Sequence, residues 1–380
     1  MPFPEVSRME SREVFVQLAM QEGANIRALC RQFTISPTTA YAWLARYVEA
    51  GVDGLTERSR RPHTSPRQTP PERETAVVAL RQQHPTWGGR KLHRALRDQG
   101  VEQVPAPATC TAFLRRHGLL DADEALKHRP VQRCESAAPN ALWQIDCKGD
   151  VVLPAQRVYP LQVLDDHSRF LLGVQVCADQ RGTTVQAALT SLFRTYGLPL
   201  RMLADNGAPW GTTQAEGQLT RLSAWLVRLG IRISHGRPYH PQTQGKIERA
   251  MRTLQADVLR GRTYADAAAV QAACDAWRQT YNTWRPHEAL GLATPASRYQ
   301  PSPVPFPETL PPLLYLPDDV VRRVSQPGCI SFEGTTWRVS KALIGESVAI
   351  RPTDTDGVLR VYYAHHRVRD LQLHHPPDEE

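Results

Sequence analysis

Apolar residues recur every three or four positions between residues 7 and 54, a pattern that predicts three short helices. Ser36 and Pro37 supply a capping side chain and a proline at the first helical position, so one helix should begin there and end at Gly51. Two of the helices are joined by the tight stretch 32–35. This arrangement predicts a helix-turn-helix domain over 7–54.

In a helix-turn-helix domain, the start of the second helix enters the DNA major groove. The residues expected to face bases or phosphates are Thr38, Thr39, Tyr41 and Arg46. A plain three-helix packing domain would show the same pattern. A basic, proline-containing linker follows at 55–72, and its Arg58, Arg60 and Arg61 could either follow phosphates or keep the spacer solvated.

A second helical pattern occupies 73–120. Trp87 precedes a glycine pair that opens one helix, and Pro107 begins another. These signals predict a second helix-turn-helix-like domain. The stretch 121–139 is polar and bounded by proline, so we interpret it as a linker between domains.

Between 140 and 298 the pattern changes to β-rich runs that alternate with amphipathic helices. The predicted strands are 142–147, 158–164, 170–176, 200–204 and 231–234. The predicted helices are 183–196, 218–229 and one that runs onward from 241. Three strands, then a helix, a strand, a helix, a strand and a helix predict an α/β domain with a mixed five-stranded sheet.

A proline-rich linker is predicted at 299–318. It is followed by short predicted strands, separated by tight turns, around 320–324, 329–332, 335–339, 347–352 and 358–363. Their order predicts a small β-barrel over 319–375. Such a module often binds nucleic acid or a partner protein, and the pattern alone leaves its role open. The whole chain is therefore predicted to be a multidomain protein, all-α at its N-terminal end, α/β in the centre and β at its C-terminal end.

Composition narrows the class of partner only slightly. The net charge of +8 suits a polyanion, although arginine-rich, alanine-rich sequence is also typical of a GC-rich genome. The seven cysteines are scattered without a C-x-x-C pair, which argues against a disulfide framework and a structural zinc site. No charged start followed by an apolar run occurs, so we expect a cytoplasmic protein without a membrane span.

Three acids of the central domain stand where open α/β sheets place their sites, at strand ends and on a facing helix. Asp146 lies near the end of the first predicted strand, Asp205 follows the fourth, and Glu248 lies near the start of the last helix. Carboxylate oxygens are the ligands that Mg²⁺ prefers. We therefore predict that Asp146, Asp205 and Glu248 hold two Mg²⁺ or Mn²⁺ ions for an in-line phosphoryl displacement.

The surroundings of these acids fit a nucleic-acid substrate. Polar and basic side chains flank Glu248 on its helix and in the loop before it, and an asparagine follows Asp205. The residues predicted to contact DNA here are Asn206, Gln242, Gln244, Lys246, Arg249 and Arg252.

Five motifs occur in one order: WQIDCKG, DDHSRF, LADNGAPW, HGRPYHPQTQGKIER and YNTWRPHEALG-LATP. Together they resemble the integrase core of bacterial insertion-sequence transposases, and most closely the insertion sequence 481 family, which is related to retroviral integrases. The resemblance covers about 140–296. It implies an RNase H-like fold, Asp146, Asp205 and Glu248 as metal ligands, and transposon ends as substrate. The segment between Asp205 and Glu248 is longer than in retroviral integrases, so the resemblance does not predict the geometry of the loop after Asp205.

Several other residues have rival interpretations. Asp165 and Asp166 could bind a cation, but their position between two strands favours a turn. Asp150 is expected in a hairpin turn, and His235 with His240 lacks the spacing of a zinc site. Trp143 and Trp284 are more typical of a core than of base-stacking platforms.

The function expected from these features is that of a DDE transposase. Its helix-turn-helix domains would bind double-stranded DNA at the element's end repeats, as a homodimer or larger assembly, and its core would cut the ends and join them to target DNA. Two alternatives remain open. One is a domesticated DNA-binding regulator that has lost catalysis, and the other is a related nuclease such as a ribonuclease H or a junction resolvase.

Overall fold

The computed structural model describes residues 8–57, 68–120, 135–147, 149–211, 219–235 and 244–374. The chain divides into two compact units, Met1–Gln68 and Thr69–Glu380. Each unit has a buried apolar core of its own.

The first unit contains the three predicted helices, α1 (Arg8–Ala19), α2 (Ile26–Gln32) and α3 (Pro37–Ala50), and then a 3₁₀ turn, Gly51–Leu55. The side chain of Ser36 caps α3 by accepting a hydrogen bond from the backbone N–H of Thr39. Phe15 of α1 packs edge-on against Phe33 and Trp43, and this contact closes the small core. The prediction of a helix-turn-helix domain is confirmed.

Three more helices open the second unit: α4 (Pro71–Gln83), α5 (Gly89–Asp98) and α6 (Pro107–Arg116). A Cβ atom on Gly89 would lie only 2.3 Å from the Thr111 hydroxyl, so glycine lets α5 and α6 approach closely. Trp87 is buried, and its ring contacts Trp284 of the central region at 4.9 Å between ring centroids. This aromatic contact joins the helices to the α/β region.

The central sheet contains six strands: β1 (Trp143–Cys147), β2 (Val151–Val152), β3 (Arg157–Asp165), β4 (Leu171–Cys177), β5 (Arg201–Ala204) and β6 (Arg232–His235). Their order is β2-β3-β1-β5-β6, and β4 also pairs with β3. The first four strands pair antiparallel, whereas β1–β5 and β5–β6 are parallel. The predicted mixed sheet is confirmed, and the two-residue β2 is an addition to the five predicted strands.

Helices cover both faces of this sheet. On one face, α7 (Gly182–Tyr196) and α8 (Arg221–Arg228) share a core with Trp143 and Ile145 of β1. On the other face, α9 (Gly245–Leu254), its π-helical continuation Gln255–Leu259 and α10 (Ala267–Thr283) form a separate core. Because side chains alternate along a strand, Gln144 and Asp146 lie on the face that α9 covers.

The C-terminal region contains β7 (Val320–Arg323), β8 (Cys329–Phe332), β9 (Thr335–Arg338), β10 (Ser347–Pro352), β11 (Val358–Tyr363) and β12 (His366–Gln372). They form a four-stranded sheet, β12-β11-β10-β7, and a separate β8–β9 hairpin. The predicted small β-barrel is not confirmed, because the two sheets do not close. Between β7 of the four-stranded sheet and β8 of the hairpin, the Arg322 side chain donates a hydrogen bond to the Ser331 carbonyl.

The proline-rich stretch between the α/β region and β7 packs along the central domain. The N–H of Ser302 donates to the Tyr196 carbonyl at the end of α7, and the N–H of Leu198 donates to the Val304 carbonyl. Arg194 of α7 pairs with Glu308 at 2.6 Å. These bonds hold part of the predicted linker against the side of α7.

Candidate active site

Asp146 lies near the end of β1 and Asp205 directly follows β5, and these two strands are neighbouring and parallel. In the β1–β5 ladder, Gln144 lies opposite Leu203. Asp146 comes two residues after Gln144, and Asp205 comes two residues after Leu203, so the register carries both acids to the same end and the same face of the sheet. Asp146 is half-buried and Asp205 is exposed. This is the edge at which open α/β sheets bind ligands.

Glu248 belongs to the helix that begins against β1. It lies in the first turn of α9, where its side chain is exposed. The preceding residue, Ile247, donates its backbone N–H to the Gln144 side-chain oxygen at 3.2 Å. The helix that carries Glu248 is thereby attached to the strand that carries Asp146.

These contacts bring three elements together without assembling three ligands. In the described part of the chain, no group of three or more His, Cys, Asp or Glu side chains is placed so that it could hold a metal ion. The donor type still suits a hard divalent cation, since Asp146, Asp205 and Glu248 offer only carboxylate oxygens. Their roles as ligands therefore stay predictions.

The thiol of Cys147 also lies at this edge. Burial, with smaller contributions from the neighbouring Cys177 thiol and the carboxylates of Asp146 and Asp205, raises its pKa to about 12. The thiol is therefore protonated at neutral pH, and a protonated thiol is neither a nucleophile nor a good metal ligand.

Asp165 is the last residue of β3, and Asp166 begins the turn to β4 that was favoured above. Asp165 accepts hydrogen bonds from the backbone N–H groups of Asn140 and Ser168, at 2.7 Å each, and from the Ser168 hydroxyl. Burial nevertheless raises the pKa of Asp165, because desolvation outweighs these bonds. Asp166 is also buried and accepts from the backbone N–H of Ser136 at 2.8 Å. Both carboxylates are occupied by protein donors.

Lys246, predicted to contact DNA, has a partner within the protein. Its ammonium lies 2.5 Å from the Asp166 carboxylate, and only 17% of its side chain is exposed. Burial by itself would raise the pKa of Asp166, but the hydrogen bond and charge of Lys246 lower it overall. The ion pair with Asp166 accounts for the position of Lys246 within the protein, and a DNA contact by Lys246 stays a prediction.

The remaining residues predicted to contact DNA near Glu248 are mostly accessible. Arg249 and Arg252 lie exposed on α9, and Asn206 is exposed beside Asp205. Gln244 is half-buried at the start of the helix, with its side-chain nitrogen enclosed and without a hydrogen-bond partner among the described residues. Gln242 lies outside the described residues.

In the first unit, Thr38 and Tyr41 are exposed at the start of α3, and 60% of Tyr41 is accessible. The Thr39 hydroxyl is 2.8 Å from the Ser36 hydroxyl, so part of its hydrogen-bonding capacity serves the helix cap. Arg46 is half-buried. Arg58, Arg60 and Arg61 lie outside the described residues.

The rival residues have local roles. His235 lies 2.9 Å from the backbone carbonyl of Asp205, and its predicted companion His240 is outside the described residues. Trp143 is fully buried in the sheet core, as predicted. Trp284 is half-buried among aromatic rings, and Asp150 pairs with Arg157 across the β2–β3 turn.

Sequence reasoning missed Gln144, whose buried side chain contacts both Asp166 and the start of α9. Apolar and polar residues alternate along the strand WQIDC, a pattern that predicts an exposed polar face and gives no sign that Gln144 is buried. A polar group buried in this way needs partners, and the sequence cannot say which residues supply them.

Comparison with known families agrees with this architecture. Two integrase core domain models match residues 136–241 and 229–295, and the model of the IS481 family transposase C-terminal domain matches 319–376. A helix-turn-helix domain model matches 11–63, and a homeodomain-like domain model matches 39–114. The chain is thus an integrase-core protein with N-terminal helix-turn-helix domains. These matches together support a bacterial insertion-sequence transposase of the IS481 family.

Curated relatives are also products of insertion elements. The chain is 27% identical over 236 residues to an uncharacterized 31.7 kDa protein of insertion element IS407 from Burkholderia multivorans, covering 60% of this chain and 82% of that protein. It is 26% identical over 227 residues to an uncharacterized 39.2 kDa protein of IS476 from Xanthomonas euvesicatoria, covering 58% and 62% respectively. The aligned region therefore spans less than two thirds of the second relative.

Among solved structures, the HTLV-2 integrase catalytic core domain in complex with magnesium is similar at 15% sequence identity, with a TM-score of 0.32. The match covers 44% of this chain and all of that domain. Within the described ranges, no helix is both long and apolar enough to cross a membrane.

Proposed function

We propose that this protein is a DNA transposase that binds the end repeats of its insertion sequence, cleaves the DNA there and joins the ends to target DNA. The observation that carries the proposal is the parallel register of β1 and β5, which leads to Asp146 and Asp205 at one sheet edge. The attachment of α9 to β1 adds Glu248 to the same region. DNA as the substrate also implies a protein that works at the bacterial nucleoid, in the cytoplasm.

Asp146, Asp205 and Glu248 are the residues proposed to hold a pair of Mg²⁺ or Mn²⁺ ions. Bound divalent ions would lower the pKa of an attacking water or hydroxyl and stabilise charge on the phosphate. The contribution of this chain is to place carboxylate oxygens on a rigid sheet edge and a packed helix. Three carboxylates repel one another when close, so we expect cation binding to draw them together.

The basic residues beside the acids are proposed to hold the DNA backbone. Arg249 and Arg252 lie exposed on the helix of Glu248, three positions apart, where they can reach successive phosphates. Thr38 and Tyr41, exposed on α3, are proposed to contact DNA in a major groove. Because an element has two ends, we propose that the active assembly is a homodimer or a larger oligomer.

Cleavage of a labelled duplex that carries the end repeat tests this function. Asp146→Asn, Asp205→Asn and Glu248→Gln should each abolish cleavage in Mg²⁺ while the duplex is still bound. Asp150→Asn is the matched control, since it removes an acid from the same region that pairs with Arg157. Near-normal cleavage by any of the three variants would remove that residue from the ligand set.

A regulator that binds ends without cutting them is the second candidate. The observation in its favour is that the described side chains include no three-ligand group. A supercoiled plasmid that carries the ends separates the two, because a regulator would bind it and leave it intact in Mg²⁺. A nuclease of the same fold would nick the plasmid but give no joined strand-transfer product.

A further inference from the structure

The helix that carries Glu248 begins without a cap of its own. Gln244 holds the N-cap position of α9 but its side chain makes no capping hydrogen bond. The first N–H groups of a helix have no partner within the helix, and a side-chain oxygen usually accepts from the second or third of them. In α9 the third residue is Ile247, whose N–H is buried.

Gln144 supplies the missing acceptor from another element. Its side-chain oxygen accepts from the Ile247 N–H at 3.2 Å, although the two residues are 103 positions apart. Its side-chain nitrogen donates to Asp166 at 2.8 Å. Only 1% of Gln144 is exposed, so an apolar side chain would be the ordinary choice at this strand position.

Asp166 and Lys246 close the contact into a ring. Lys246, the second residue of α9, lies 2.5 Å from the same Asp166 oxygen that accepts from Gln144. The first turn of α9 is therefore attached twice, once through the backbone of Ile247 and once through the Lys246 side chain. Both attachments lead to β1 or to the turn between β3 and β4.

This ring spans the two elements that carry proposed ligands. Gln144 lies on β1, two residues before Asp146 and on the same face of the strand. Ile247 directly precedes Glu248. We propose that Gln144 is a positioning residue, which caps α9 from β1 and thereby fixes Glu248 relative to Asp146. The catalytic half of this inference rests on the proposed transposase function, whereas the capping half does not.

Gln162 offers a matched control for a buried glutamine. It lies on β3, adjacent to β1, and it is fully buried. In the described structure neither its side-chain oxygen nor its nitrogen has a hydrogen-bond partner. Gln162→Met therefore changes the same residue type in the same sheet without removing a hydrogen bond to α9, and Gln144→Met is its counterpart.

Hydrogen exchange of the full-length protein, without metal or DNA, tests the cap directly. Gln144→Met should speed exchange of the Ile247 N–H about fivefold, the factor expected for loss of one helix cap. Gln162→Met should leave exchange in α9 unchanged. If Gln144→Met does not fold, Gln144→Asn replaces it, because its amide is one methylene too short to reach Ile247.

Cleavage kinetics test the positioning half. Gln144→Met should lower kcat about tenfold to a hundredfold with little change in the KM for end DNA, because misplacement of a catalytic group affects the chemical step. Unchanged exchange at Ile247 in both Gln144→Met and Gln144→Asn would overturn the cap. Faster exchange with normal kcat would overturn the positioning role. A wild-type protein that never cleaves DNA would overturn the proposed function and the positioning role of Gln144. The exchange rate of the Ile247 N–H would still test the cap, because that measurement needs no activity.

Discussion

Two pairs of aspartates in the same sheet have opposite surroundings. Asp165 and Asp166 are buried where β3 meets the turn to β4, and they accept hydrogen bonds from Asn140, Ser168 and Ser136. Asp166 also pairs with Lys246. At the sheet edge, Asp146 lies near the end of β1 and is half-buried, whereas Asp205 follows β5 and is exposed. The residue type is the same, and the environment separates the two roles.

The comparison teaches how to distinguish a structural carboxylate from a candidate ligand. A buried carboxylate is stable only when donors and cations of the protein satisfy it, and such donors leave little room for a metal. A carboxylate at a strand end keeps its oxygens accessible to an incoming ion or substrate. We therefore assign Asp165 and Asp166 to stability and propose Asp146 and Asp205 for chemistry.

The largest expected effect is that of Asp205→Asn, which should lower the cleavage rate and leave the free energy of unfolding nearly unchanged. Asp205→Asn should lower the cleavage rate about a thousandfold or more. Because this side chain is exposed, the free energy of unfolding should change by no more than about 0.5 kcal/mol. Single-turnover cleavage and urea unfolding of the same preparation check both expectations. An equal loss of stability and activity would place Asp205 with the structural pair.

Asp165→Asn should give the reverse pattern. The amide keeps one acceptor oxygen but presents an N–H₂ group to a backbone N–H of Asn140 or Ser168, so one buried donor loses its partner. We expect a loss of about 3 kcal/mol in the free energy of unfolding. Urea denaturation followed by circular dichroism measures it, and wild-type stability would show that the turn does not depend on these bonds.

Lys246→Met tests the ion pair below Glu248. It would leave the buried Asp166 without its cation, at a cost of about 2 kcal/mol near neutral pH. In the wild type the pKa of Asp166 is lowered, so this contribution is present above the unfolded-state pKa and is lost as the pH falls through the lower folded-state value. The stability difference between the two proteins should therefore shrink in acid. A difference that is independent of pH would contradict the assignment.

The smallest effect concerns Lys91 at the start of α5. Burial, together with the charge of the nearby Arg285, lowers its pKa to about 8. Below pH 8 the folded protein retains a poorly solvated charge, so Lys91→Met should stabilise it by on the order of 1 kcal/mol at pH 7. Above pH 8 the folded state loses this proton before the unfolded state does, so wild-type stability should rise and the gap should narrow towards pH 10. Thermal melts of both proteins across this range would detect it.

The helices and strands were predictable because their signals are local. Ser36 and Pro37 marked the start of α3, and period-two or apolar runs marked β1, β3 and β4. β12 was missed because its sequence, HRVRDLQ, is rich in charged residues and shows no apolar run. It becomes a strand through its antiparallel pairing with β11, which is not a local signal. Closure of a barrel was wrongly expected, because short strands in sequence do not show whether the sheets that they form will join.

The candidate site was predictable in its residue types and less so in its partners. The strand-end positions of Asp146 and Asp205 followed from the strand pattern alone. The ring of Gln144, Asp166 and Lys246 could not be read from the chain, because its contacts join residues 22, 80 and 103 positions apart. Lys246 shows the consequence: its charge suggested a phosphate contact, and the fold gives it a buried carboxylate.

Anomalous diffraction from crystals soaked in Mn²⁺ tests the assignment of the two aspartate pairs most directly. We predict a peak in contact with the carboxylates of Asp146 and Asp205, with Glu248 closing on it, and no peak at the β3–β4 turn. A peak bound by Asp165 or Asp166, or none at the sheet edge at saturating Mn²⁺, would contradict the account.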